Sequence, residues 1–352
     1  MRASPSTTAI FLSLALAACG GDIGDGQTGM GNADSGPDVT PNEDAASCAS
    51  VEVDLTEQIP TVMLLVDRSG SMKEPFSGST RWIATYDTLM NGTNGIVKDL
   101  EGRVRFGAAL YTSLGGSAGN EAFEGSPAGT CPMMATVAPT LQNHAAIDTM
   151  YAPKTFEGDT PTGASLVSTT AILNQVTLPG PKIIVLATDG APDSCSIPNP
   201  ANATEAAATQ LEATNAAEAA FAAGISTYVI SVGDDVAATH LQDMANAGQG
   251  LAIGGATNAT YYQALNSAAL ITAFDDIING VRSCVLTLDG SVGAGGEASG
   301  SVSIDNQVLQ AGVDWRLNDP STIEILGSAC DGLLAGGEHQ VSATFECGVL
   351  VN

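Results

Sequence analysis

From residue 61 onward, continuous apolar runs alternate with stretches of helical period. "TVMLLVD" (61–67), "KIIVLAT" (182–188) and "ISTYVISV" (225–232) are apolar at almost every position and rich in β-branched residues. Such runs predict strands buried on both faces. "RVRFGAALYTS" (103–113) predicts a further strand with some alternation, and 261–264 a short last one. Between them the spacing predicts helices over 81–100, 144–151, 162–176, 202–223, 236–247 and 267–280. The first is weakened by Gly92 and Gly95. The Ala-rich helix at 202–223 opens on Asn202 and Glu205, a capping-box pattern, and stops at Gly224. Buried strands separated by helices predict an α/β fold: a doubly wound, mostly parallel sheet with helices on both faces.

After Cys284 the pattern changes. "CVLTLDG", "GSVSIDN", "TIEILGS" and "HQVSATFEC" alternate with period two between Gly- and Asn-containing turns. They predict a small C-terminal antiparallel β domain over 284–352. The large α/β domain is then assigned to 48–283. Residues 20–47 carry Gly, Asp, Asn, Ser, Thr and Pro with almost no large apolar side chain. That composition cannot bury a core and predicts a flexible acidic tether over 19–47.

Charge narrows the partners. Eleven Lys and Arg face 38 Asp and Glu, a formal net charge of −27. A phosphate backbone is repelled by that field, so nucleic-acid binding is excluded as an expectation. Hydrophobic residues make up 44% of the chain, enough for a proper core.

The N-terminus reads Met-Arg-Ala-Ser and then almost wholly apolar from Thr8 to Ala18. That run is too short to span a bilayer and suits a secretory signal peptide over 1–18. Its end, "LAAC" at 16–19, resembles the lipobox of bacterial lipoproteins. The resemblance implies cleavage before Cys19, lipidation of Cys19, and contact with the membrane by that anchor only. Gly20 stands where an Asp would signal retention at the inner membrane, which implies the outer membrane or cell surface.

Six cysteines remain: Cys48, Cys131, Cys195, Cys284, Cys330 and Cys347. An even number in an exported chain predicts disulfides, and no C-x-x-C favours zinc instead. Position suggests Cys48–Cys284 closing the large domain, Cys330–Cys347 within the small one, and Cys131–Cys195 between two loops. A closed Cys330–Cys347 loop would stabilise its segment by roughly 3 kcal/mol.

The candidate chemistry sits where buried strands end. "DRSGS" gives Asp67, Ser69 and Ser71; "GDTPTG" (158–163) gives Thr160 and Thr162 before a helix; "TDG" gives Asp189. In a doubly wound sheet these loops share the carboxyl edge, where ligands bind. Two acids and three hydroxyls suit a hard cation such as Mg²⁺. Neutral hydroxyls would leave the metal net positive charge and an open position for a carboxylate from another molecule.

D-x-S-x-S after a strand, a later Thr before a helix, and TDG after another strand together resemble the von Willebrand factor type A family and its metal-ion-dependent adhesion site. The resemblance covers about residues 58–280. It implies Asp67, Ser69, Ser71, Thr160 and Asp189 as ligands, with Thr160 chosen over Thr162 because the family's threonine starts this loop. Mg²⁺ is the expected cation, with Mn²⁺ or Ca²⁺ as substitutes. The function implied is metal-dependent adhesion to a protein or extracellular ligand that offers an Asp or Glu carboxylate. An envelope assembly or scaffold role is the alternative. A metal-dependent hydrolase is the minor one: His144, His240 and His339 lie in no nucleophile-elbow or H-E-x-x-H context, so no enzyme is expected.

Overall fold

The computed structural model describes residues 51–53, 55–57, 59–281, 284–288, 290–293, 295–335, 339–345 and 350–351. The signal peptide, Cys19, the tether, Cys48 and Cys347 lie outside these residues.

Two short strands come first, β1 (Val51–Val53) and β2 (Leu55–Glu57). The central strand β3 (Thr61–Asp67) follows, then a 3₁₀ turn (Gly70–Lys73) and a small hairpin, β4 (Pro75–Phe76) and β5 (Ser79–Thr80). Next come α1 (Arg81–Met90), α2 (Ile96–Leu100), β6 (Arg105–Thr112), β7 (Met133–Thr140) and α3 (His144–Tyr151). The large domain continues with α4 (Thr162–Asn174), β8 (Lys182–Thr188), α5 (Ala203–Ala222), β9 (Ile225–Val232), α6 (Ala238–Gly248), β10 (Tyr262–Ala264) and α7 (Ser267–Val281).

Its sheet runs in the order β10-β9-β8-β3-β6-β7, parallel except for β7, which pairs antiparallel with β6. The side chains of β3 alternate between two cores. Val62, Leu64 and Val66 pack with α1, α2, α3 and α7, while Met63 and Leu65 pack with α4, α5 and α6. This double burial is why the strand is apolar at consecutive positions. Gly163 lets α4 approach α5 closely, since a Cβ there would meet the Glu212 Cγ at 2.9 Å. The chain leaves β3 for β6 on one side and later places β8 on the other. The strand order therefore reverses at β3 and β8, the place in an open α/β sheet beyond whose carboxyl ends ligands bind.

The single helix expected over 81–100 is two. Asn91 Oδ1 accepts from Thr93 N at 2.9 Å, and a Cβ on Gly95 would fall 2.5 Å from the Asn91 carbonyl oxygen. The backbone folds back too tightly there for helix to continue. On α5, Asn202 caps Thr204 and Glu205 N–H, while Glu205 Oε2 reaches Ala201 N.

The small module adds β11 (Val285–Leu288), β12 (Ser291–Val292), α8 (Gly296–Ser299), β13 (Ser301–Ile304), β14 (Gln307–Leu309), β15 (Trp315–Asp319), β16 (Thr322–Ile325), α9 (Gly327–Ala335), β17 (Val341–Phe345) and β18 (Leu350–Val351). It includes two short helices that period two did not show. Its two four-stranded sheets run β1-β17-β13-β14 and β15-β16-β11-β2. Residues 51–53 and 55–57 thus pair with this module, although the sequence placed them with the large domain; the α/β domain is spliced between β2 and β11. Trp315 and Phe345 meet edge to face at 6.4 Å in its core.

The disulfides differ from expectation in part. Cys131 is bonded to Cys195, and Cys284 to Cys330. Cys284 is therefore not joined to Cys48, nor Cys330 to Cys347. Backbone pairing explains the correction. Ile325 N bonds the Cys284 carbonyl at 2.9 Å, and the chain runs from Ile325 directly into α9, which carries Cys330. The two thiols are brought together by one strand-to-helix step. Among the described residues, no helix is long and apolar enough to cross a membrane.

Candidate functional site

The site grows from the end of β3. Asp67 is its last residue and is fully buried. Its Oδ1 accepts Ser69 N at 2.8 Å, closing a carboxylate turn of the kind Asp favours. Its Oδ2 accepts Thr188 Oγ1 at 2.6 Å. Gly70 N bonds the Gly158 carbonyl at 2.9 Å, which docks the serine loop on the loop before α4. The alternate spacing then brings the Ser69 and Ser71 hydroxyls to 3.1 Å of each other. Both a turn and a convergence of oxygens follow from the same five residues.

Asp189 stands one residue beyond β8 and is also fully buried. Its Oδ1 accepts the Ser71 hydroxyl at 2.8 Å. Its Oδ2 accepts Arg81 Nη1 at 2.9 Å, and the same nitrogen reaches Asp235 Oδ2 at 2.7 Å. Thr160 is held by reciprocal bonds with Asp193: Thr160 N donates to Asp193 Oδ2 at 2.9 Å, and Asp193 N to the Thr160 carbonyl at 2.8 Å. Thr162 turns elsewhere, its hydroxyl 3.2 Å from Tyr111 Oη. Gly190 forms the floor. A Cβ there would lie 3.5 Å from Ser71 Oγ and 3.6 Å from Thr160 Oγ1. The structure thus places all five sequence-predicted oxygen donors at one sheet edge, with a bare glycine beneath two of the hydroxyls.

Electrostatics at this edge are unfavourable to the carboxylates alone. Burial, reinforced by the charge of Asp189, pushes Asp67 up to about 7. Burial also raises Asp189, against the opposing bonds from Arg81 and Ser71. Burial raises Asp193 to about 6. A cation among these groups would relieve the penalty. Among the described residues no group of three or more His, Cys, Asp or Glu is gathered for a metal. The donor set is two carboxylates and three hydroxyls, all hard oxygens, and it fits Mg²⁺, Mn²⁺ or Ca²⁺ better than a soft metal.

Two loops frame the edge. Arg68, between Asp67 and Ser69, forks onto Glu124 at 2.9 and 3.1 Å and donates to the Thr155 carbonyl at 2.7 Å. Lys154 meets the same Glu124 carboxylate at 2.5 Å. Asp159 Oδ2 accepts from Gly115 N and Gly116 N at 2.8 and 3.2 Å. Ser117 N bonds the Cys195 carbonyl at 2.8 Å, and the Cys131–Cys195 bond joins the two loops covalently. The histidines lie apart from the serines. His144 Nε2 is 2.9 Å from the Met90 carbonyl, His339 Nδ1 is 2.8 Å from Asp305, and His240 is buried behind Thr188 and Gly190.

Arg81, Thr188, Asp193 and Asp235 take part without having been singled out in sequence. Thr188 had a visible signal, as the residue before Asp189 in "TDG". The other three had none, because their partners lie far along the chain.

No family model matches the chain, and no curated protein sequence matches it. Among solved structures, the pilus adhesin SpaC of Lactobacillus rhamnosus GG aligns at TM-score 0.45 and 16% identity, over 82% of this chain and 39% of SpaC. The PilB minor pilin of Streptococcus sanguinis aligns at TM-score 0.46 and 17% identity, over 64% of this chain and 62% of PilB. Manganese-loaded TRAP protein of Plasmodium vivax aligns at TM-score 0.43 and 15% identity, over 84% of this chain and 97% of TRAP. The chain therefore spans under two thirds of the length of either pilus protein.

Proposed function

We propose that this chain is a surface-anchored lipoprotein whose large domain is a von Willebrand factor type A module that binds a divalent cation and, through it, a carboxylate of a protein or matrix partner. The observation that carries this reading is the 2.8 Å bond between Ser71 Oγ and Asp189 Oδ1, which brings the D-x-S-x-S loop and the TDG loop to one point. Asp67, Ser69, Ser71, Thr160 and Asp189 would hold the cation, Mg²⁺ first and Mn²⁺ or Ca²⁺ as substitutes. When bound, the cation supplies a concentrated positive charge to which an acidic side chain can bond.

The chain's own residues prepare that event. Thr188 and Ser69 N fix both oxygens of Asp67, and Arg81 and Ser71 fix those of Asp189. Asp193 holds the Thr160 backbone. The loops tied by Cys131–Cys195 and by Arg68–Glu124 give the partner a firm rim, so little ordering is needed on binding. We read the role as binding, because the Ser69 and Ser71 hydroxyls converge with Asp189 as a cation's ligands would.

Beads coated with the purified chain should retain Asp-bearing surface proteins in Mg²⁺ and release them in chelator, and Ser71→Ala beads should retain few. Retention indifferent to both chelator and Ser71→Ala contradicts the reading. For the anchor, metabolic labelling with a fatty acid should mark the chain and fail on Cys19→Ser; equal labelling of both argues against lipidation at Cys19.

A further inference from the structure

Arg81 is the first residue of α1, yet it is only 6% exposed. Its guanidinium lies across Gly233, at the end of β9, where a Cβ would stand 2.8 Å from Nη2. Gly233 has φ +108°, a conformation that suits glycine, and its missing side chain opens the route to Asp189. Arg81 Nε is buried with no hydrogen-bond partner among the described residues. An arginine fork held this way, with one nitrogen unsatisfied, is an expensive arrangement for packing alone. What it gains is Nη1 on Asp189 Oδ2 at 2.9 Å, the face of that carboxylate opposite Ser71.

Resting on the metal-site reading above, we propose that Arg81 is a positioning and charge-setting residue for the site: it holds Asp189 in place when no metal is bound and weakens the cation's grip when one is. The carboxylates of Asp67, Asp189 and Asp235 with the one Arg81 guanidinium leave this edge with a formal charge of about −2 when all are ionised. A divalent cation held there brings the group to neutrality, where without Arg81 it would stay negative, so the arginine keeps the loaded site from repelling a partner's carboxylate. Asp235, more than half exposed, anchors the other side of Nη1 and keeps the guanidinium from swinging into solvent.

The test compares the purified wild-type chain with Arg81→Gln and Arg81→Lys, by Mg²⁺ titration and by thermal unfolding with and without Mg²⁺. Removal of a like charge one carboxylate away should tighten Mg²⁺ binding by about tenfold or more at an effective dielectric near 20. Arg81→Gln should also unfold at lower temperature without metal and gain more from Mg²⁺ than wild type does. Arg81→Lys, which keeps the charge, should bind Mg²⁺ within about threefold of wild type, a small change in the electrostatic free energy. Arg81→Gln binding no tighter than wild type, or failing to fold even in Mg²⁺, overturns the proposal, as does Arg81→Lys binding as tightly as Arg81→Gln. No binding by wild type or by either variant overturns the metal reading itself, and this inference with it.

Discussion

Ser71 and Asp189, 118 positions apart, share a hydrogen bond of 2.8 Å between hydroxyl and carboxylate. One follows β3 and the other follows β8, adjacent parallel strands. Parallel pairing sets the strand ends side by side, at the point where the order of strands reverses about β3. The side-chain bond then fixes the separation of the two loops.

The proposed reading makes Thr160 a cation ligand and Thr162 a packing residue. Thr160→Ala should weaken Mg²⁺ binding about tenfold or more, since one oxygen donor of a small set is lost. Thr162→Ala should leave Mg²⁺ affinity near wild type and lower stability by about 1 kcal/mol, through loss of the Tyr111 contact. Calorimetry and denaturant unfolding on both variants check the contrast; the reverse pattern would assign the ligand to Thr162.

His240 predicts an acid sensitivity of stability. Burial lowers it from 6.5 to about 4. Between those values the unfolded chain takes up a proton that the folded one refuses, so this group lowers stability as pH falls through the window. The loss is at most about 3 kcal/mol. Asp67 and Asp193 are raised and act with the opposite sign. The difference between wild type and His240→Leu isolates the histidine: the variant should lose less stability from pH 6.5 to 4. Parallel pH profiles would contradict the assignment.

The two disulfides among the described residues should appear as linked peptides, Cys131 with Cys195 and Cys284 with Cys330, in a non-reducing digest read by mass spectrometry. The Cys284–Cys330 bond closes a segment with a sequence separation of 46. Replacing both with Ala should cost up to about 4 kcal/mol by loop-closure entropy, measured by denaturant unfolding. A Cys284 peptide linked instead to Cys48 would show that the module is stapled differently.

How much of this was legible depended on how local its cause was. β3, β8 and β9 could be read because burial on both faces removes polar residues from the whole run. β7 could not: it is a half-exposed edge strand, and "MMATVAPT" carries Pro139 and little apolar alternation. The break at Asn91–Gly95 was hinted at by two glycines but needed the backbone turn to be seen. Asp67, Ser69, Ser71 and Asp189 stand out because strand ends announce the sheet edge, whereas Thr160, in the loop before α4, stands out only through the family resemblance. Arg81 does not, since it opens a helix and meets Asp189 only 108 residues later. Cysteine spacing carries no register, so the Cys284–Cys330 bond waited on the pairing of β11 with β16.

The most direct measurement is calorimetric titration of Mg²⁺ and Mn²⁺ into the purified chain, beside Asp67→Ala. The account predicts saturable binding with one cation per chain, lost in the variant while its fold, followed by circular dichroism, is kept. No binding by the native chain, or equal binding by Asp67→Ala, would contradict it.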